Sequence, residues 1–224
     1  MLLALTDKRT GLANGFLLLA LIAASLSSMS LGTISVAPLD VLGSFLGTAD
    51  PMTGFVVKEL RGSRILAGLL SGAALAVAGC LMQTLARNRL ATPGIIGIDN
   101  AATAFAVASV VGIGLSLAPS AMALAGAAAA TALAFGLAGA NGTRGYRFIV
   151  AGIGIGAIAG AATQVMLSRV AIDAANAAYP WTVGSLNARS GHSVVILSIG
   201  LVLAAVLLAI INRGLNTLQF SDAV

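Results

Sequence analysis

Charge is what this sequence has least of. Only 8% of its 224 residues are Asp, Glu, Lys or Arg, while 58% are hydrophobic. A soluble domain carries about 25% charged residues, and too few polar side chains remain here to cover a water-facing surface. A soluble globular fold is therefore excluded, and the mean hydropathy of +1.02 agrees. Cysteine is nearly absent too. Cys80 stands alone inside an apolar run, which excludes an intrachain disulfide or a thiolate cluster and leaves a small helix-packing residue. His192 is the single histidine, so no His-x-x-x-His metal site can form. The only lysines are Lys8 and Lys58, and neither closes a Gly-x-x-x-x-Gly-Lys-Ser/Thr loop, which excludes nucleotide binding of that kind. The Asn-Pro-Ala repeats of a six-helix water channel are missing as well. With no enzymatic motif, the chain is expected to catalyse nothing and to need no cofactor or resident metal.

What is present is a succession of long apolar runs. Roughly 20 apolar residues cross a bilayer, so the length accommodates six or seven helices with loops. The pattern predicts an all-α membrane protein of about six transmembrane helices in a single domain, 1–224. Its spans lie at about 12–31, 64–85, 95–117, 121–140, 148–167 and 194–211. Gly32, Pro93-Gly94, Pro119, Asn141-Gly142-Thr143-Arg144-Gly145 and Asn212-Arg213-Gly214 punctuate them. Between the first two spans, Val41–Leu46 is expected as a short interfacial helix with Asp40 near its start. Ser168 to Ser190, containing Pro180 and Trp181, is expected as a polar connection. The first run follows Asp7-Lys8-Arg9 and is long for a signal-peptide core. Further spans come after it, so it reads as a retained helix.

The formal net charge is +5 and the pI about 10.4. The basic residues sit between apolar runs rather than in a patch, so they point to membrane topology and not to nucleic acid. With the N-terminus cytoplasmic, that side receives Lys8, Arg9, Arg87, Arg89, Arg144, Arg147 and Arg213. The other side receives Lys58, Arg61, Arg64, Arg169 and Arg189. This bias favours an N-terminus inside, and it places Tyr179 and Trp181 at the outer interface. Lys58, Arg61 and Arg64 work against the bias. They fit an ordinary interfacial anchor with snorkelling stems. Arg61 and Arg64 are also three residues apart, share a helix face and suit the carboxylates of a docking partner.

Small residues recur at helical spacing. Gly152, Gly156 and Gly160 form a stripe along the fifth span, and Gly68 and Gly72 do so on the second. In lipid, close backbone approach supplies packing energy between helices, and a glycine-lined helix also leaves room for a bulky solute. The spacing is compatible with both. Few polar residues lie in the spans, among them Gln83, Asp99, Asn100, Thr103, Thr163 and Gln164. Asp99 is the one carboxylate near a span interior, where charge is costly and often functional. Its place just after Pro93-Gly94 favours a helix-start or hydrogen-bonding role over a proton relay.

Glu59-Leu60-Arg61-Gly62-Ser63-Arg64 opens a longer pattern. It runs through a small-residue helix to Gly79 and Gln83, then Arg87-Asn88-Arg89-Leu90-Ala91-Thr92-Pro93-Gly94 and on to Gly97. This resembles the FecCD/BtuC-type permease family of bacterial ABC importers. That family shows Arg-Leu-Pro-Arg, then Gly-x-x-x-Gln, then Arg-Asn-Pro-Leu-Ala-x-Pro-x-x-Leu-Gly. Trp181-Thr182-Val183-Gly184-Ser185-Leu186 resembles its Trp-x-x-Gly-Ser-Leu, in the form of the ferric-siderophore members. Gly62-Ser63 stands where the family has Leu-Pro, and Arg89 where it has proline.

The resemblance implies the N-terminal part of a ten-helix permease, C-terminally incomplete after the sixth helix. Leu215 to Val224 looks like the family's Leu-x-Leu-Gly-Asp-x-x-Ala cut midway, which would make Ser221 and Asp222 part of the ATPase-coupling segment. It implies docking of a periplasmic substrate-binding protein by Arg61 and Arg64. A gate is implied at Asn141, Gly142 and Thr143, and a translocation path along Gly152, Gly156, Gly160 and Gln164. A helix-turn motif is implied at Asn88, Leu90, Pro93 and Gly97. The implied partners are cytoplasmic ATP-binding subunits, the binding protein, a second permease chain (identical or not) and the lipid bilayer of the bacterial inner membrane. The expected function is import of an iron chelate, a ferric siderophore, by alternating access. Cobalamin or haem import, a six-helix secondary transporter or channel, and a nonfunctional truncated permease stand as the alternatives.

Overall fold

The computed structural model describes residues 8–32, 34–86, 88–113, 117–139, 146–187 and 190–217, and their regular structure is entirely helical. The elements are α1 (Lys8–Ser30), α2 (Pro38–Leu46), α3 (Pro51–Phe55), a π-helical segment (Val56–Gly62), α4 (Ser63–Leu85) and a 3₁₀ turn (Pro93–Ile96). Then come α5 (Ile98–Val110), α6 (Pro119–Ala138), α7 (Tyr146–Arg169), α8 (Ile172–Val183) and α9 (Gly191–Thr217). Among the described residues, five helices are long and apolar enough to cross a membrane: Arg9–Ser30, Pro51–Leu85, Pro119–Ala138, Arg147–Arg169 and Gly191–Ile211. α5 has 13 residues, about 20 Å at 1.5 Å per residue, which is short of a hydrocarbon core of about 30 Å.

The chain forms two compact units, one of residues up to Gly72 with Leu186–Leu203, the other of Ala73–Ser185 with Ala204 onward. In the first, α1 buries none of its apolar window and meets α2 and the π-helical segment near its C-terminal end. Val36, Val41 and Val57 form the small core there, with Met29 packed against them. Helix starts follow local chemistry. Asp50 caps α3 by accepting from Met52 N at 3.0 Å and Thr53 N at 3.4 Å, with Pro51 at the first helical position, where a missing N–H costs nothing. From Pro51 to Leu85 the helical run is 35 residues, well beyond the roughly 20 a bilayer needs. Its charged part, Lys58 to Arg64, therefore has room to lie outside the apolar stretch. The π-helical segment ends immediately before Ser63, the residue at the position of the resembled family's proline. Gly62 is buried at its end, and a β-carbon there would lie 3.1 Å from Val57 O.

In the second unit α5 packs most extensively on α6, then on α7 and α8. Small residues make this possible. On α6, Gly126, Ala130, Ala134 and Ala138 are buried at every fourth position. A β-carbon at Gly126 would come within 2.5 Å of Ala101 O, so the two backbones all but touch. The core at one end joins Met82, Ala91, Ile96, Ala134, Ala138 and Phe148, with the Phe135 and Phe148 rings 5.3 Å apart and tilted.

Two stretches differ from the sequence expectation. The run expected from 95 begins with a 3₁₀ turn, passes Gly97 in the left-handed region (φ 68°) and becomes α-helical only at Ile98. The stretch expected as a polar connection contains α8. Pro180 lies inside α8, and a proline there reads as a break. In this helix it costs one backbone bond near the end, and Gly184 N closes the helix on Pro180 O at 2.9 Å.

Candidate functional site

Arg61 and Arg64 line one open pocket of about 890 Å³ in the first unit, with Glu59 and the apolar Leu31, Phe55 and Leu60. They are not equivalent. Arg61 is half-buried and its Nη1 donates to Met29 O at 2.6 Å, while Nη2 donates to Ile34 O. Both acceptors flank the end of α1. Arg64 is exposed and makes no hydrogen bond or ion pair among the described residues. The pocket therefore offers one guanidinium already engaged and one open to an anion, beside a carboxylate and an apolar wall.

The turn after α4 shows why its residue types occur together. Gln83 Nε2 donates to Arg89 O at 3.0 Å, and Asn88 N donates to Gln83 O at 3.1 Å. Asn88 Oδ1 accepts from Leu90 N at 2.9 Å. These amide side chains satisfy backbone groups that the helix end leaves orphaned. Arg89, at the position where the family has proline, contributes its carbonyl. Pro93 then opens the 3₁₀ turn, and Leu90 is fully at the surface. Asp99 sits in the first turn of α5, with Oδ1 accepting from Asn100 N at 2.9 Å, a helix-start arrangement that also places negative charge at the positive end of the helix.

The glycine stripe of α7 divides in two. A β-carbon at Gly97 would lie 2.4 Å from Gly156 N and 2.7 Å from Gly152 O, and one at Gly152 only 2.6 Å from Ile95 O. Gly97, Gly152 and Gly156 are thus mutual packing partners, joined by Asn100, whose Nδ2 is 3.2 Å from a β-carbon built at Gly156. Gly160 has open space, with nothing within 4 Å of its would-be β-carbon, and Gln164, one turn on, is exposed. Thr163 is buried and bonds Ala159 O at 3.0 Å. Asn141, Gly142, Thr143, Ser221 and Asp222 lie outside the described residues. Two features went unforeseen in the sequence. The Gly126–Ala138 stripe was hidden because alanine is everywhere in that run. The clamp made by Arg61 depends on residues 27 and 32 positions away and leaves no local signal.

Helices of this length and polarity, stacked through small residues, define a multi-pass helical membrane protein with the fold of an ABC transporter permease. The chain belongs to the FecCD transport family, whose model matches residues 17–224. It is 36% identical over 93% of its length to the ferric enterobactin transport system permease protein FepD of Escherichia coli (strain K12), covering 63% of that protein. The achromobactin transport system permease protein CbrC of Dickeya dadantii (strain 3937) is 31% identical over 92% of this chain and 60% of its own. The Fe(3+)-citrate import system permease protein YfmE of Bacillus subtilis (strain 168) is 31% identical, over 96% and 65% respectively. A solved structure described as an inward-facing, metal-chelate type ABC transporter superposes with a TM-score of 0.75 at 20% identity. It covers 92% of this chain and 64% of the other. The chain thus spans somewhat under two thirds of the length of these relatives.

Proposed function

We propose that this chain is a permease subunit of an ABC importer that moves an iron chelate, a ferric siderophore, across the bacterial inner membrane. The observation that carries the reading is the family match over nearly the whole chain, together with permease relatives whose names concern ferric enterobactin, achromobactin and ferric citrate. The geometry supports it with an exposed arginine on an open rim pocket, and with an uncovered stretch of α7 at Gly160 and Gln164.

In this reading the N-terminus is cytoplasmic, and the Arg61–Arg64 end of the long helix faces outward. A substrate-binding protein presents carboxylates there, where a guanidinium at the edge of the membrane receives them with charge-assisted bonds. A second permease chain, identical or not, completes the path. Gly160 and Gln164 contribute to its wall, a small residue leaving room and an amide offering hydrogen bonds to a chelate. Asn141, Gly142 and Thr143 form the gate. Separate cytoplasmic subunits hydrolyse ATP and act on the segment with Ser221 and Asp222, so this chain contributes a path and docking surfaces and no chemistry of its own.

The test is uptake of radiolabelled ferric siderophores by cells making the complete importer. Uptake should require this chain, the binding protein and the ATPase together. In reconstituted vesicles, Arg64→Glu should reduce the stimulation of ATP hydrolysis by the binding protein while leaving membrane insertion intact. Stimulation equal to that of the unaltered protein would refute the docking role, and uptake of no iron chelate would refute the assignment of substrate.

A further inference from the structure

α2 carries an apolar face that the described residues leave uncovered. At 100° per residue, Leu39, Leu42, Phe45 and Leu46 fall within an arc of about 120°, and all four are between 56% and 80% exposed. Val41 and Ser44 turn the other way and are buried. Val41 packs with Val36, Val57 and Met29. That packing sets the height of α2. The apolar run Arg9–Ser30 of α1 has 22 residues, about 33 Å at 1.5 Å per residue, which matches a hydrocarbon core of about 30 Å. Met29 lies in the last turn of that run, so α2 sits at a margin of the hydrocarbon. The ends of α2 also ask little of water. Pro38 opens it with no N–H to satisfy, and Asp40 N and Val41 N donate to Ala37 O at 2.9 and 3.1 Å. At the other end Gly47 N, Thr48 N and Ala49 N all donate to Gly43 O.

We propose that α2 is anchored in the bilayer itself, with Leu39, Leu42, Phe45 and Leu46 seated among acyl chains at the membrane margin and no partner protein covering them. The face is continuous with the apolar surface of a membrane span: α1 has none of its apolar window buried, and Leu31 and Ile34, between the two helices, are 71% and 62% exposed. A backbone with most of its donors paired internally suits a place where water is scarce. α2 has no lysine or arginine, so hydrophobic transfer holds it and the charge of the lipid headgroups does not. Its one charge, Asp40, projects from the side opposite the apolar arc. Because α2 also packs on the π-helical segment, this anchor fixes the depth of the connection between α1 and α4, whichever solute the permease carries.

The assembled importer in lipid nanodiscs provides the test. A nitroxide is attached to Leu42→Cys, Phe45→Cys or Asp40→Cys, each in a Cys80→Ser background. Its collisions with oxygen and with a neutral nickel chelate are measured in phosphatidylcholine, with and without phosphatidylglycerol, and before and after adding the binding protein. The ratio of oxygen to nickel collisions should be about tenfold or more higher at positions 42 and 45 than at 40, the scale on which hydrocarbon excludes a polar solute. Neither phosphatidylglycerol nor the binding protein should change it. Equal ratios at 42 and 40 place the face in water and overturn the proposal. Poor access of both reagents at 42 and 45, or a loss of oxygen access when the binding protein is added, shows a protein covering the face and overturns it as well. A high ratio that requires phosphatidylglycerol overturns the hydrophobic anchor in favour of headgroup attraction.

Discussion

Replacing single glycines by alanine should separate those that seat a crossing from the one that lines open space. At Gly97 two costs add. An L-residue held in the left-handed region, here at φ 68°, loses about 1–2 kcal/mol. The new methyl would also sit 2.4 Å from Gly156 N and 2.7 Å from Gly152 O. Both are backbone atoms that cannot swing away, and overpacking of this kind costs about 1–3 kcal/mol. The total is about 2–5 kcal/mol. At Gly152 the backbone is ordinary helix, so alanine gains about 1 kcal/mol of helix propensity. That gain is set against contacts of 2.6 Å to Ile95 O and Ile96 Cα, for a net loss of about 0–2 kcal/mol. Gly160 meets nothing within 4 Å, so alanine there should be neutral or stabilising by up to about 1 kcal/mol. Thermal unfolding of the detergent-solubilised protein, followed by the folded fraction on size exclusion, should rank the variants in that order. Gly97→Ala should melt roughly 4–20 °C below the unaltered protein. A Gly97→Ala protein that melts with the unaltered one would refute the crossing, and so would a Gly160→Ala protein that melts as low as Gly97→Ala.

Other substitutions probe separate parts of the chain. Gly160→Leu should leave the melting temperature within a few degrees of normal but depress siderophore uptake at least about tenfold if α7 lines the path there; normal uptake removes Gly160 from the wall. Asp50→Ala should cost about 1 kcal/mol at the start of α3, seen as faster amide exchange at Met52 and Thr53 alone. Gln83→Leu and Asn88→Ala each remove one bond of the turn after α4, worth about 1 kcal/mol apiece, and should make residues 86–92 more readily cut by protease. Of cysteines placed at Lys58 and Arg89 in a Cys80→Ser background, the one at 58 should react with impermeant maleimide added to intact spheroplasts and the one at 89 only after lysis; equal labelling of both in intact spheroplasts contradicts the proposed orientation.

The long helices were legible because hydrophobic transfer adds residue by residue, and runs such as Val194–Ile211 need no neighbour to declare themselves. Prolines and glycines marked most ends for equally local reasons: Pro119 opens α6 and Pro93 opens the 3₁₀ turn. Local reading failed where one residue can mean two things. Pro180 reads as a break but lies within α8. The run from 95 reads as one helix, yet it has a left-handed residue at Gly97, a conformation that makes sense only because α7 passes against it. Within the candidate site, the spacing of Arg61 and Arg64 made them a pair, and the family pattern gave the pair a meaning. Nothing near either arginine in sequence distinguishes them, because the acceptors that occupy Arg61 come from Met29, at the far end of α1, and Ile34, just beyond it.

By itself the sequence determined that this chain is helical and lives in a membrane, since so few charges cannot coat a water-facing surface and a bilayer requires each backbone to satisfy its own hydrogen bonds. Only the tertiary structure decided which of the many glycines and alanines are contact points, and which of two like cations is already engaged. Those outcomes depend on the backbone of other helices reaching within about 3 Å, a proximity that spacing along one helix does not encode.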